Sequence, residues 1–386
     1  MKIEISEKDI QEMLMADDLK KIIIKEELSK QIVGEEKSID TILTCCIGSK
    51  VENAQLTSFN LLVNDESTAG KDWVVNHVLK IFPKNMWEHS TRVSPTSLCY
   101  YHNAEQEPDW TWDGKIFYLE DPSNTILNSE VLKLMASTGS DALITIKPGK
   151  VVKYRINGKP VIITTMATSF PNEEIRNRFN IVNLDSGIDQ TKAIMERQTE
   201  RARTGKAIEY DPLITGCLGY LKRMPVLLPF LNHKKVEKMF PTTLIMRRQY
   251  NRFLDYVKAQ TILMQLQRKI IQELPNEPEI LLGTKEDWNN AIEPFMKTVT
   301  NPMFIPLTKN DQRLLETIEK FGENYSTIKQ IAERCSFYSE KSLYTKCRWL
   351  TEKGFLEQIQ QEQESSKKPV FAYQFIKQTK FKIKEW

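Results

Sequence analysis

An α/β fold built on a mostly parallel sheet is what this 386-residue sequence predicts, and three observations carry that expectation. Short uninterrupted apolar runs at Leu61-Leu62-Val63, Lys115 to Leu119 and Pro160 to Thr165 read as strands buried on both faces. Helical patterns alternate with them, as a sheet covered by helices requires. The stretch from Asn60 to Asp72 reads as a strand, a loop of small residues, and a helix opened by Gly70-Lys71.

The elements follow in order. Residues 1–30 read as short helices forming an N-terminal extension, and 31–187 as the α/β core. Within the core, Val74 to Ile81 is a helix stopped by Pro83, and Glu130 to Ser137 is another. Leu143 to Ile146 and Val151 to Ile156 form a hairpin turning at Pro148-Gly149. Residues 188–300 turn helical, with candidate helices at Gln190 to Arg203, Tyr210 to Lys222 and Arg247 to Gln272. Pro302 and Pro306 frame a linker. Residues 307–376 read as a winged helix: three helices, then two strands around a polar tip. Leu343, Cys347 and Leu350 face inward on the third helix, and Ser326 caps the second. Residues 377–386 form a basic tail that either adds backbone contacts or ends as a loose strand.

Bulk properties narrow the classes. A net charge of +3 leaves any nucleic-acid surface to local clustering. Six cysteines without a Cys-x-x-Cys pair point to free thiols rather than zinc. No apolar run approaches membrane-spanning length, so the expectation is a cytoplasmic protein without a membrane partner.

The chemistry concentrates at four places. Asp65, Thr68, Ala69, Gly70, Lys71 and Asp72 read as a phosphate-binding loop, whose N–H groups and lysine meet the phosphates of ATP. Asp65 stands at the usual first glycine, and Asp72 at the hydroxyl residue that holds Mg²⁺. Glu120-Asp121 ends a buried strand as an acid pair: one acid orients Mg²⁺, together with Asp72, and the next polarises the attacking water. Thr165, with Thr164 and Thr168 as alternatives, ends another core strand where a hydroxyl can sense the γ-phosphate. Arg178, or Arg176, can reach a neighbouring subunit's nucleotide. Between Lys147 and Lys159 the hairpin carries Lys147, Lys150, Lys153, Arg155 and Lys159 with no acid, which fits phosphate contacts on DNA. On the third helix of the winged unit, Lys341, Tyr344, Thr345 and Arg348 point outward, where they can enter a major groove.

In this order the segments resemble the AAA+ ATPase core, and within it the minichromosome-maintenance (MCM) helicase branch. The resemblance rests on Gln31-Ile-Val-Gly-Glu, on the phosphate loop, on Leu143-Ile-Thr-Ile-Lys-Pro-Gly149, on Asn157-Gly-Lys-Pro-Val-Ile-Ile-Thr-Thr165 and on Arg248-Gln-Tyr-Asn-Arg252. It spans residues 30 to 272, without the branch's large N-terminal DNA-encircling domain. It implies that Ile32 and Val33 lie near the adenine, that Lys147 is the pore lysine, and that Arg248 is the second sensor on a helical lid. It further implies a homo-oligomeric, hexameric ring that uses ATP and Mg²⁺ to translocate on single-stranded and duplex DNA. A replicative helicase of a plasmid, virus or mobile element fits that description. A replication initiator using ATP as a switch shares the architecture, and a structural subunit with weak catalysis is the third expectation.

Overall fold

The structure is a computed structural model that describes residues 5–64, 70–102, 107–137, 141–147, 150–166, 178–185, 187–205, 209–240, 246–272, 274–299, 309–322, 324–335, 337–352, 355–361, 370–375 and 383–386. The chain divides into two compact units, Met1–Asn301 with Ile383–Trp386, and Pro302–Lys382.

The first unit is organised by five parallel strands: β1 (Leu61–Asn64), β2 (Trp87–Ser90), β3 (Ile116–Leu119), β6 (Val161–Met166) and β7 (Asn180–Val182). Their order is β2-β3-β6-β1-β7. β1, β3 and β6 are buried along their whole length, as their continuous apolar and β-branched sequences demand. β2 and β7 extend the sheet beyond the three strands expected. Because all five strands run one way, the sheet has one edge of N-terminal ends and one of C-terminal ends, where ligands bind in open α/β sheets.

The hairpin forms as read, from β4 (Asp141–Lys147) and β5 (Lys150–Arg155) in an antiparallel ladder. Helix α1 (Glu36–Gly48) is buried on nearly every face. Helix α2 (Lys71–Lys80) follows the phosphate loop, and α3 (Glu130–Ser137) covers the sheet near β3. Helix α4 (Ile188–Thr204) has no buried residue. Helix α5 (Pro212–Tyr220) begins at an Asp211 cap with proline in its first turn.

The long helix expected from Arg247 to Gln272 is shorter. Helix α6 (Met246–Leu263) ends there, and Ile270–Ile271 becomes β9 in a small sheet with β8 (Val226–Leu227) and β10 (Ile280–Leu282). α6 packs with α1 and with α7 (Lys285–Val299). The carboxylate of Asp255 accepts from the Ser58 hydroxyl at 2.6 Å, and Arg252 donates to Asn180 at 3.3 Å. Both partners lie at the N-terminal edge of the sheet. The chain end joins this unit rather than ending loose. Trp386 packs edge-on against Phe230 and Trp288, and the Trp288 indole donates to the Lys384 carbonyl at 3.1 Å.

In the second unit, α8 (Lys309–Glu319), β11 (Ser326–Thr327), α9 (Ile328–Arg334), α10 (Glu340–Glu352), β12 (Leu356–Gln361) and β13 (Val370–Phe375) follow one another, with sheet order β11-β13-β12. Leu314, Ile318, Ile331, Leu343, Cys347, Leu350 and Tyr373 form its core. The cap of α9 is Thr327, not Ser326. Gln330 closes a reciprocal capping box with Thr327, while Ser326 pairs with Tyr373 in the sheet.

Candidate phosphate site

Gly70 is the N-cap of α2 and holds φ at 75°, a left-handed conformation that favours glycine. Among the described residues a side chain there would meet nothing within 4 Å, so the strain of the left-handed backbone is what restricts the position against them. Lys71 follows as the first helical residue and is buried. Asp65, Thr68 and Ala69 lie outside the described residues.

Asp72 is where the separate motifs meet. Its Oδ1 accepts from the Thr165 hydroxyl at 2.7 Å and from the Tyr118 phenol at 2.8 Å. Thr165 Oγ1 in turn accepts from the Asp121 backbone N–H at 3.0 Å. The register explains why. β6 lies between β1 and β3, setting Thr165 beside Val63 and Thr164 beside Leu119. Thr164 turns its hydroxyl to the Leu119 carbonyl at 2.8 Å, leaving Thr165 to face the first turn of α2. Thr168 lies outside the described residues.

Asp121 adopts φ 40°, uncommon for a residue with a side chain and tolerated best by Asp and Asn. Strain of this kind gathers at functional sites. Glu120 is engaged differently: its Oε2 lies 2.6 Å from His89 Nε2. His89 stands opposite Tyr118 in the β2–β3 register and stacks on its ring, with centroids 4.8 Å apart and planes at 12°. Burial, and then the Asp72 carboxylate, push the Tyr118 phenol up, so it remains a donor. Beside the acid pair a cleft of about 480 Å³ opens, lined by Thr91, Arg92, Glu120 and Asp121 among others.

Ile32 and Val33 lie at the same end of the sheet. Trp73, two residues after Lys71, donates its indole N–H to the Gln31 carbonyl at 3.3 Å. Arg201 of α4 donates to Gln31 Oε1 at 2.9 Å, with its guanidinium 5.4 Å from the centre of the Trp73 ring. Gln190 of α4 donates to the Val33 carbonyl. Glu35 accepts from the Asp185 N–H and the Ser38 hydroxyl, each at 2.6 Å, and burial pushes its carboxyl up.

The remaining candidates lie elsewhere. Arg178 precedes β7 and donates to the Ser137 hydroxyl at 3.0 Å, at the N-terminal edge of the sheet, so it does not join its own chain's Asp72 cluster. Arg248 lies on α6, one turn before Arg252; its side chain, with those of Lys147, Lys150 and Lys153, is outside the described residues. Arg155 is exposed. Lys159 departs from the exposed basic set: it is half-buried, its ammonium donates to the Pro160 carbonyl, and burial lowers its pKa to about 8. On α10, Lys341, Tyr344, Thr345 and Arg348 are exposed, while Leu343, Cys347 and Leu350 are buried.

A family model described as the MTBMA_p00010 P-loop domain matches residues 4–212, more than half of the chain. The chain belongs to this family. No curated protein matches it. The five-stranded parallel sheet and the Gly70-Lys71 helix start are therefore those of a P-loop domain, the fold of nucleotide-binding NTPases.

Tyr118, His89, Trp73 and Arg201 are the site residues that sequence reasoning passed over. Tyr118 was hidden inside an apolar run. Strand alternation carries the signal that exposes it, because residues two apart share a face, so Tyr118 lies on the side of Glu120. For Mg²⁺, the carboxylates of Asp72 and Glu120 are hard oxygen donors of the right kind. Among the described residues no three-ligand metal cluster exists. Among the described residues no helix is long and apolar enough to cross a membrane.

Proposed function

We propose that this chain is an ATP-driven motor of the MCM-like AAA+ type, acting as a homo-oligomeric ring on DNA, with a winged helix as its second unit. The observation that carries the reading is the shared hydrogen-bond system at Asp72. It ties the first turn of the phosphate-loop helix to the strand bearing the acid pair and to the strand bearing the sensor hydroxyl.

The roles follow from position. Lys71 neutralises the β- and γ-phosphates, and the N-terminus of α2 directs its N–H groups at them. Asp72 and Glu120 hold Mg²⁺, which when bound spreads the charge that develops on the transferring phosphoryl group. Asp121 takes the proton of the attacking water. Thr165 senses the γ-phosphate, which requires its hydroxyl to leave Asp72. Ile32 and Val33 border the adenine, fixed by Glu35, Gln190 and Trp73. Arg178, facing away from its own site, acts on a neighbour's nucleotide, and Arg248 is the second sensor. Lys147, Lys150 and Lys153 grip the DNA backbone without reading sequence. Lys341, Tyr344 and Arg348 contact duplex DNA.

A second reading is an initiator that uses ATP as a switch. Its support is that both hydroxyls at the site are already committed to Asp72. ATP turnover, measured with and without single-stranded DNA across a range of protein concentrations, separates the two. The motor turns over ATP, responds to DNA, and gains rate per subunit as rings assemble. Tight nucleotide binding without turnover favours the switch. Lys71→Ala should lose nucleotide binding; wild-type affinity in that variant sinks the phosphate-loop assignment.

A further inference from the structure

Resting on that nucleotide-binding reading, we propose that Tyr118 is a positioning residue: its phenol holds one oxygen of Asp72 so that the other is presented as an anionic ligand, making nucleotide binding conditional on a divalent cation.

The argument begins with the asymmetry of the Asp72 carboxylate. Both hydroxyl donors reach Oδ1, from Thr165 at 2.7 Å and from Tyr118 at 2.8 Å. Among the described residues, Oδ2 receives no hydrogen bond. Two donors on one oxygen fix the plane of the group. The two donors are not equivalent. Thr165 also accepts the Asp121 N–H, and its sensing role requires it to let go of Asp72. Tyr118 also meets the Thr165 side chain, but its hold on Asp72 is fixed by its ring. Its ring is wholly buried in β3 and clamped by the near-parallel stack on His89.

The consequence is electrostatic. A hydroxyl next to Lys71 tolerates phosphates with or without metal, whereas a fixed carboxylate repels them until a cation stands between. Affinity for the nucleotide and affinity for the cation are then linked, and by reciprocity each raises the other.

The test is equilibrium binding of a fluorescent, non-hydrolysable ATP analogue to the full chain, titrated with Mg²⁺ from EDTA upward. Wild type should bind about 10- to 100-fold more weakly in EDTA than in saturating Mg²⁺. Tyr118→Phe keeps the ring and its stack. It should raise the half-saturating Mg²⁺ concentration about 3- to 10-fold while leaving affinity in EDTA unchanged. In an Asp72→Thr background the Tyr118→Phe change should no longer move that midpoint, whereas a merely structural role would shift it equally in both. Asp72→Asn, which keeps both hydroxyl partners and removes the charge, should bind in EDTA nearly as well as in Mg²⁺. It tests the charge argument even where Tyr118→Phe does not fold. Equal wild-type affinity with and without Mg²⁺, an unmoved midpoint in folded Tyr118→Phe, or full metal dependence in Asp72→Asn overturns the proposal. Failure of wild type to bind at any Mg²⁺ concentration overturns instead the nucleotide reading beneath it.

Discussion

A single carboxylate, Asp72, is the acceptor for two hydroxyls from two different strands, Tyr118 of β3 and Thr165 of β6. Both donors are fully buried, so neither can turn to water if the acceptor is lost. Asp72→Ala should therefore cost stability as well as metal handling, about 1–3 kcal/mol for the unsatisfied hydroxyls. Asp72→Thr should cost less, because its oxygen can accept one of them, and should keep or raise ATP turnover by restoring the commoner Mg²⁺ ligand. Thermal unfolding of both variants beside ATPase rates checks this. An Asp72→Ala protein as stable as wild type would show that the network holds nothing together.

Helix α2 carries the phosphate end at Lys71 and a buried imidazole two turns later. His77 Nδ1 is hydrogen-bonded to the Tyr210 hydroxyl, and Trp73 packs over its ring. Burial first, then Lys80 and Arg201, lower its pKa from 6.5 to about 4. The folded state thus keeps His77 neutral where the unfolded chain would protonate it. Its contribution to stability is complete above about pH 6.5, declines as the pH falls towards 4, and changes no further below that. His77→Gln, which retains a partner for Tyr210, should flatten the fall in melting temperature between pH 7 and pH 5; an identical slope in both proteins would exclude His77 as its source. The elements themselves were unequally legible. Buried strands announce themselves, so Leu61–Asn64, Ile116–Leu119 and Val161–Met166 stood out as apolar runs. Trp87–Ser90 mixes Trp with Glu and His, and Asn180–Val182 is three residues long, so neither carries a pattern. The end of α6 at Leu263 was hidden because Ile270 and Ile271 continue an apolar spacing while pairing as a strand. Asp72, Glu120, Asp121 and Thr165 were legible by type and order along the chain. Their hydrogen bonds were not, because which hydroxyl meets which carboxylate depends on the register of β6 between β1 and β3.

For the whole molecule, the proposed nucleotide site and the proposed DNA contacts occupy separate structures. The Asp72 cluster lies at the C-terminal edge of the five-stranded sheet, while β4 and β5 form a two-stranded sheet of their own. The hairpin segment from Lys147 to Lys159, rich in lysines and without an acid, suits a phosphate backbone and does not read bases. If Lys147 grips DNA there while ATP cycles, removing its charge should uncouple DNA from turnover. Lys147→Ala should drive the ratio of DNA-stimulated to basal ATPase towards unity and abolish unwinding. It should also flatten the salt dependence of single-strand binding, by about 0.7 in log–log slope for each lost contact. Arg348→Ala, on the exposed face of α10, should instead weaken duplex binding and spare unwinding of preloaded forks. Measuring unwinding on a forked substrate decides between motor and switch, because translocation by a ring pore needs the lysine and a nucleotide switch does not. Intact unwinding by Lys147→Ala would remove the motor reading and leave the initiator.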